Sequence, residues 1–335
     1  MHAGLPANDR AVTAARFPHL LSPLTIGRVT VRNRAFSSAH GTGFAVNGLL
    51  SERHIEYHRA RARGGIGLIV IEATGIDDAP VSASASVANL RNTSDAVLPA
   101  YRRIADAVHA EGAKIFCLLS HSGRNTSMGA QGQPPMAPSA IPMDRTRDIP
   151  HELEREEIAV IVAAFAAAAR RCRDGGLDGV ELSFTHGNLV QQFLSPASNQ
   201  RSDEYGGSAD NRLRLAREVL QAVRAAIGPD FTFGIRYSAA ELIAAGYGLE
   251  DGVRFAQRMV DWGALDYIDV SAGTNSSMWS RSIHYPTIAS PPRPLVHLAK
   301  AVRAAVKVPV FCIGKLADPS EARPSSPPVR RIWSA

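Results

Sequence analysis

Cysteine is scarce in this 335-residue chain. Cys117, Cys172 and Cys312 stand far apart, and no C-x-x-C spacing occurs. A disulfide framework and a cysteine-built iron–sulfur or zinc centre are therefore excluded, and a reducing cytoplasm suits the composition. No apolar run approaches the roughly 18 residues of a membrane helix, and the opening residues lack a signal-peptide core. Charge of one sign is not concentrated either. The balance of 37 basic to 31 acidic residues gives +6, with only short clusters at Arg59–Arg63 and Arg102–Arg103. A nucleic-acid arm would gather its lysines and arginines. G-x-G-x-x-G, H-E-x-x-H, G-x-S-x-G and P-loop patterns are missing, which argues against dinucleotide folds of the doubly wound kind, zinc peptidases, serine hydrolases and NTPases. No metal-ligand set is expected. These absences leave a cytoplasmic enzyme acting on a small molecule, with neither nucleic acid nor membrane as partner and its oligomeric state open.

What is present is an alternation of two periods. Short apolar, β-rich runs occupy Gly67–Ala73, Lys114–Leu119, Gly179–Ser183, Thr232–Arg236, Tyr267–Val270 and Val308–Ile313, with an earlier one near Arg34–Ser38. Helical spacing fills Asp95–Ala110, Glu154–Arg173, Asp210–Ile227, Glu250–Trp262 and Pro294–Val306. Strands without polar alternation are buried on both faces, as in a parallel sheet. Strand and helix in turn define an α/β protein, and the unit spacing fits a (β/α)8 TIM barrel. Seven strands can be counted. Where the eighth should stand, Ser320–Ala335 reads SEARPSSPPVRRIWSA, whose three prolines and four serines oppose a helix followed by a buried strand. The expectation is a barrel missing its eighth strand and closing helices, divided into a disordered tail (1–16), an incomplete barrel domain (17–319) and an anomalous Pro/Ser/Arg-rich tail (320–335). The Gly/Pro/Met/Ser-rich stretch His121–Pro150 follows a strand on the face where barrel enzymes place their chemistry, so a lid or substrate wall is expected there.

Candidate chemistry lies at the strand C-terminal ends. These are Ser38-Ala39-His40, Ala73-Thr74, His121 to Arg124, Ser183 to Asn188, Arg236 and Ser271-Ala272-Gly273. Small residues leave room for a flat cofactor, and His and Arg supply donors. Arg236 has two readings: a partner for an anionic cofactor edge, or a structural salt bridge to Glu181 or Asp269. His186 could be a catalyst or simply a hydrogen-bonded turn residue. Glu181 and Ser183 share one face of their strand, whether interior or helix-side.

The run NQRSDEYGGSADNR (Asn199–Arg212), with FLSPASN (Phe193–Asn199) before it, resembles the old yellow enzyme family of flavin oxidoreductases. VRNR (Val31–Arg34), GLIVIEATG (Gly67–Gly75), HSGR (His121–Arg124), LDGVEL (Leu177–Leu182) and IDVSAG (Ile268–Gly273) extend the likeness over about residues 17–319. YPTIA (Tyr285–Ala289) is similar to the branch containing 2,4-dienoyl-CoA reductase and trimethylamine dehydrogenase. The resemblance implies non-covalent FMN, reduced by NADH or NADPH and passing hydride to an unsaturated carbonyl or thioester, or else an amine demethylase on the same barrel. Carried over by position, Ser38, Ala39, His40 and Gly41 line the flavin after the first strand, Ala73 backs it, Arg236 faces its N1–C2=O edge, and Gly314 and Lys315 fall near half of the phosphate site.

Departures from the family pattern are equally specific. Leu118 replaces a glutamine that pairs with the flavin pyrimidine. The carbonyl-gripping pair becomes Ser183 and His186, and the usual proton-donor tyrosine becomes Asn188, leaving His186, His284, Tyr285 or water to supply a proton. The unusual end suggests a C-terminally truncated or frame-shifted chain with weak FMN retention. A third expectation follows: a non-catalytic barrel fragment with exposed strand edges.

Overall fold

A computed structural model describes residues 16–77, 89–126, 133–321 and 331–334. The expected 1–16 tail lies outside the described residues except for Arg16, and most of the expected 320–335 tail lies outside them as well. Twelve strands are found among the described residues. β1 (Leu24–Ile26) and β2 (Val29–Val31) form an antiparallel hairpin. The barrel strands are β3 (Ala35–Ser37), β4 (Leu68–Gly75), β5 (Lys114–Ser120), β8 (Gly179–Phe184), β9 (Thr232–Ser238), β10 (Tyr267–Ser271), β11 (Val310–Cys312) and β12 (Arg331–Ser334). They close in the order β10-β11-β12-β3-β4-β5-β8-β9, every pair parallel. β6 (Met136–Ala137) and β7 (His151–Glu152) pair with each other inside the long third loop.

The helices are α1 (Glu52–Arg63), α2 (Leu98–His109), α3 (Arg155–Asp174), α4 (Leu189–Leu194), α5 (Ala209–Arg212), α6 (Arg214–Ile227), α7 (Leu249–Asp261), α8 (Met278–His284) and α9 (Val296–Ala305). α3 buries Ile158, Ile161, Phe165, Ala168, Ala169 and Cys172, so the Ala/Val/Ile-rich face lies against the sheet. Its mate α6 buries Leu215, Val219, Leu220, Val223 and Ile227 at i, i+4 and i+3 spacing, the stripe of a helix laid on a core.

The expected open barrel is corrected. β12 pairs with β11 through Val310↔Arg331, Phe311↔Ile332 and Cys312↔Trp333, and with β3 through Trp333↔Ala35 and Ser334↔Phe36. The strand edges that a seven-stranded sheet would expose are thus both paired. The reason is local: Pro324, Pro327 and Pro328 all precede Arg331–Ser334, a proline-free stretch with two strand formers, Ile332 and Trp333. No closing helix follows among the described residues.

Alternate positions along the strands face inward and stack in layers. The bottom layer is aromatic. Phe36 and Phe311 lie 5.0 Å apart, Tyr267 stacks on Phe311 at 4.4 Å, and Phe116 meets Tyr267 at 5.9 Å. Gly179 and Gly234 make room for these rings. A Cβ on Gly234 would sit 2.3 Å from the Tyr267 ring, and one on Gly179 would sit 2.7 Å from Phe116. Two residues up each strand come Leu118, Glu181, Arg236 and Asp269, and two further come Ser120, Ser183, Ser238 and Ser271. A packed apolar floor therefore supports a charged layer and then a ring of hydroxyls at the strand C-terminal ends.

Candidate active site

The charged layer is built around Arg236. Its Nε lies 3.5 Å from Asp269 Oδ2, and Nη1 donates to the Ala39 carbonyl at 3.0 Å. Both readings of this arginine meet here: it is paired with Asp269, and it also lines the cavity above. Glu181 is interior too, which settles the face it shares with Ser183. Glu181 Oε2 accepts from Tyr267 Oη at 3.0 Å. Burial raises the Glu181 carboxyl to about 8, with Asp269 adding repulsion and Arg236 opposing the rise. Burial also raises Asp269, to about 6. The cation is thus held in a pocket whose two acids are hard to ionise together.

Above this layer a cavity of about 360 Å³ opens at the barrel mouth. Ala39, His40, Gly41, Ala73, Ser183, His186 and Arg236, all predicted from the sequence, line it together. At Gly41 an added Cβ would meet nothing within 4 Å, so that wall is open space. The bulge between Ile71 and Thr74 turns Glu72 and Ala73 to the same cavity. Ser38 is next to this wall, with a buried Oγ that has no hydrogen-bond partner.

His186 sits in the left-handed region at φ 61°, unusual for a residue with a side chain, and its Nε2 is 2.9 Å from Ser271 Oγ. The His284 ring stacks on it at 4.3 Å, and Tyr285 lies 5.8 Å away. Burial, together with nearby cationic groups, holds His186 below its ordinary range and takes His284 down to about 3. Both rings are therefore neutral near pH 7.

Two predicted residues stand apart. Gly314 and Lys315 do not line the cavity. The Lys315 ammonium donates to the carbonyls of Thr287 at 3.1 Å and Ile288 at 2.8 Å, and also to that of Ser290. Sequence reasoning missed several contributors. Glu72 accepts from the Thr42 amide, and its Oε1 is 3.3 Å from His54 Nε2. Because Ser51 N donates to His54 Nδ1 at 3.0 Å, the proton of that imidazole is on Nε2, facing Glu72. Others are Asn89, Asn125 and Arg145 from loops and Arg281 from the short helix α8. The loop residues lie on segments without periodicity, and α8 is only seven residues long, so the spacing carries little sign of them. The expected wall from His121–Pro150 is thus partly visible, while 127–132 lie outside the described residues.

The lining residues fit a flavin. Ala39, Gly41 and Ala73 leave flat space, Leu118 gives an apolar wall, and the buried Ser38 Oγ, Ser120 Oγ and Arg236 Nε lack hydrogen-bond partners. Orphaned buried donors beside a fixed cation suit the polar edge of a planar, anion-forming ring.

The class so defined is a TIM-barrel α/β enzyme, with the candidate site at the strand C-terminal ends. Residues 19–326 match the NADH:flavin oxidoreductase / NADH oxidase family, and the chain belongs to it. N,N-dimethylglycine/sarcosine dehydrogenase of Chromohalobacter salexigens (strain 1H11) is 36% identical over 91% of this chain and 44% of its own length. NADH oxidase of Thermoanaerobacter brockii is 36% identical over 91% of this chain and 46% of its own. Among solved structures, a 2-naphthoyl-CoA reductase complex superposes with a TM-score of 0.85 at 27% identity, over 95% of this chain and 50% of that one. The chain spans about half the length of these relatives. Among the described residues no helix is long and apolar enough to cross a membrane.

Proposed function

We propose that this chain carries the flavin site of an FMN-dependent oxidoreductase, taking hydride from NADH or NADPH and delivering it to an unsaturated carbonyl or thioester. The observation that carries the reading is Arg236, a buried cation that lines the cavity floor while its Nε faces Asp269 and its Nη1 donates to the Ala39 carbonyl. FMN bound there would supply two-electron hydride chemistry between nicotinamide and acceptor. Arg236 would stabilise negative charge on the ring edge, and Ala39, His40, Gly41 and Ala73 would wall the ring. Ser183 Oγ accepts from Asn188 Nδ2 at 2.7 Å, so its own hydrogen is available to a substrate carbonyl. His186, kept neutral, presents a second polar contact beside it. The 2-naphthoyl-CoA reductase likeness supports a thioester acceptor, and the NADH oxidase likeness supports the nicotinamide donor.

A second reading, amine demethylation, is favoured by Asn188, which is not an acid near pH 7 and stands where reduction would want one. Amine oxidation needs no such acid, and neutral imidazoles would receive an amine without repelling it. The likeness to N,N-dimethylglycine/sarcosine dehydrogenase supports this alternative. Anaerobic mixing of the FMN-loaded protein with NADH, with NADPH and with methylated amines separates the two. Bleaching of the visible flavin band by a nicotinamide, with turnover of an enone or enoyl thioester, is the expected result. Bleaching by amines alone selects the second reading, and bleaching by neither rejects both.

A further inference from the structure

Two arginines at the cavity mouth have no part in the chemistry above. Arg145 reaches the cavity from the segment between β6 and β7, and Arg281 reaches it from α8. Among the described residues neither guanidinium is in an ion pair. Arg145 Nη2 donates only to the neutral Asn125 Oδ1, at 3.3 Å, and Arg281 lies 5.9 Å from the Tyr285 ring centroid. Other acids around the cavity have partners of their own. Glu72 is held by Thr42 and His54, Asp269 faces Arg236, and Glu241 accepts from the Tyr247 amide. Burial and then the neighbouring Arg281 lower Arg145 from its ordinary range. The same wall carries Asn89 Nδ2, a buried amide donor without a partner. Two like charges drawn to one mouth without counter-charge are costly unless an anion joins them.

We propose that Arg145 and Arg281 form an anion clasp over the barrel mouth that holds a negative group of the substrate. Planar guanidiniums suit carboxylate and phosphate alike. On a small substrate the anion is a carboxylate, and on a carrier thioester it is a phosphate. The inference rests on the flavin reading only for the orientation it would give: clasp at the mouth, reacting carbon toward the floor.

The test separates the two claims. FMN titration reads the flavin site. Calorimetry of the protein as purified, with benzoate, benzamide and coenzyme A as probes, reads the clasp without needing flavin. Arg145→Gln and Arg281→Gln should each weaken benzoate or coenzyme A by about tenfold or more, the loss of a charge-assisted contact, and leave benzamide and FMN unchanged. Arg145→Lys and Arg281→Lys should recover part of the loss. Weakening confined to benzoate identifies a carboxylate substrate, and weakening confined to coenzyme A identifies a phosphate-bearing one. Equal binding of each anion to wild type and variants, or no anion binding to the wild type, overturns the clasp whatever FMN does.

Discussion

The Asn188 side-chain amide donates to Ser183 Oγ at 2.7 Å, and Asn125 donates in turn to Asn188 Oδ1 at 3.3 Å. The family resemblance assigns these positions to a proton-donor tyrosine and one carbonyl-gripping histidine; on that proposal they are now joined as a neutral, hydrogen-bonded pair. Asn188→Tyr should restore an acid beside the acceptor. Enone reduction by the FMN-loaded protein should then rise by about 100-fold, within the range of general-acid catalysis. Steady-state rates with one enone and one methylated amine check it, and an unchanged enone rate refutes the assignment of the missing acid to this position.

Leu118 is an apolar wall of the cavity where the family resemblance implies an amide. Leu118→Gln should tighten FMN by up to about tenfold, the worth of one added hydrogen bond. The check is a fluorescence titration of added FMN. Equal affinity for wild type and variant would mean that Leu118 does not face the ring.

Much of the fold was legible because buried parallel strands and amphipathic helices write their period into the chain. β8, for example, falls on the expected Gly179–Ser183 plus one residue, and α3 falls within one residue of Glu154–Arg173. α1 escaped because half of ERHIEYHRARAR is charged, with Ile55 and Ala62 its only buried apolar side chains. β12 escaped because prolines beside it dominated the local composition. At the site, strand-end residues such as Arg236 and Ser183 were readable from topology. Glu72, Asn125, Arg145 and Arg281 were not, since a bulge, an irregular loop and a seven-residue helix bring them in.

Glu181 makes stability depend on pH. Burial raises its folded pKa to about 8, above the unfolded value, so the native state holds a proton that the unfolded chain releases. Stability is greatest below the ordinary carboxylate range and falls as pH rises toward 8. Glu181→Gln removes that loss and still accepts from Tyr267. Its melting temperature should match the wild type near pH 5 and exceed it by several degrees near pH 9, about 1 kcal/mol or more. Thermal melts across that range check it, and parallel curves would show that Glu181 ionises normally.

The central claim is that Arg236 and the small residues above it form a flavin site. Its most direct measurement is an FMN titration of wild type and Arg236→Lys, followed by visible absorbance. Lysine keeps the charge opposite Asp269, so the fold is preserved while the planar fork is lost. Saturable one-to-one binding with a perturbed flavin band is expected in the wild type, and affinity at least about tenfold weaker in the variant. No spectral change in the wild type, or equal binding by both proteins, would contradict it.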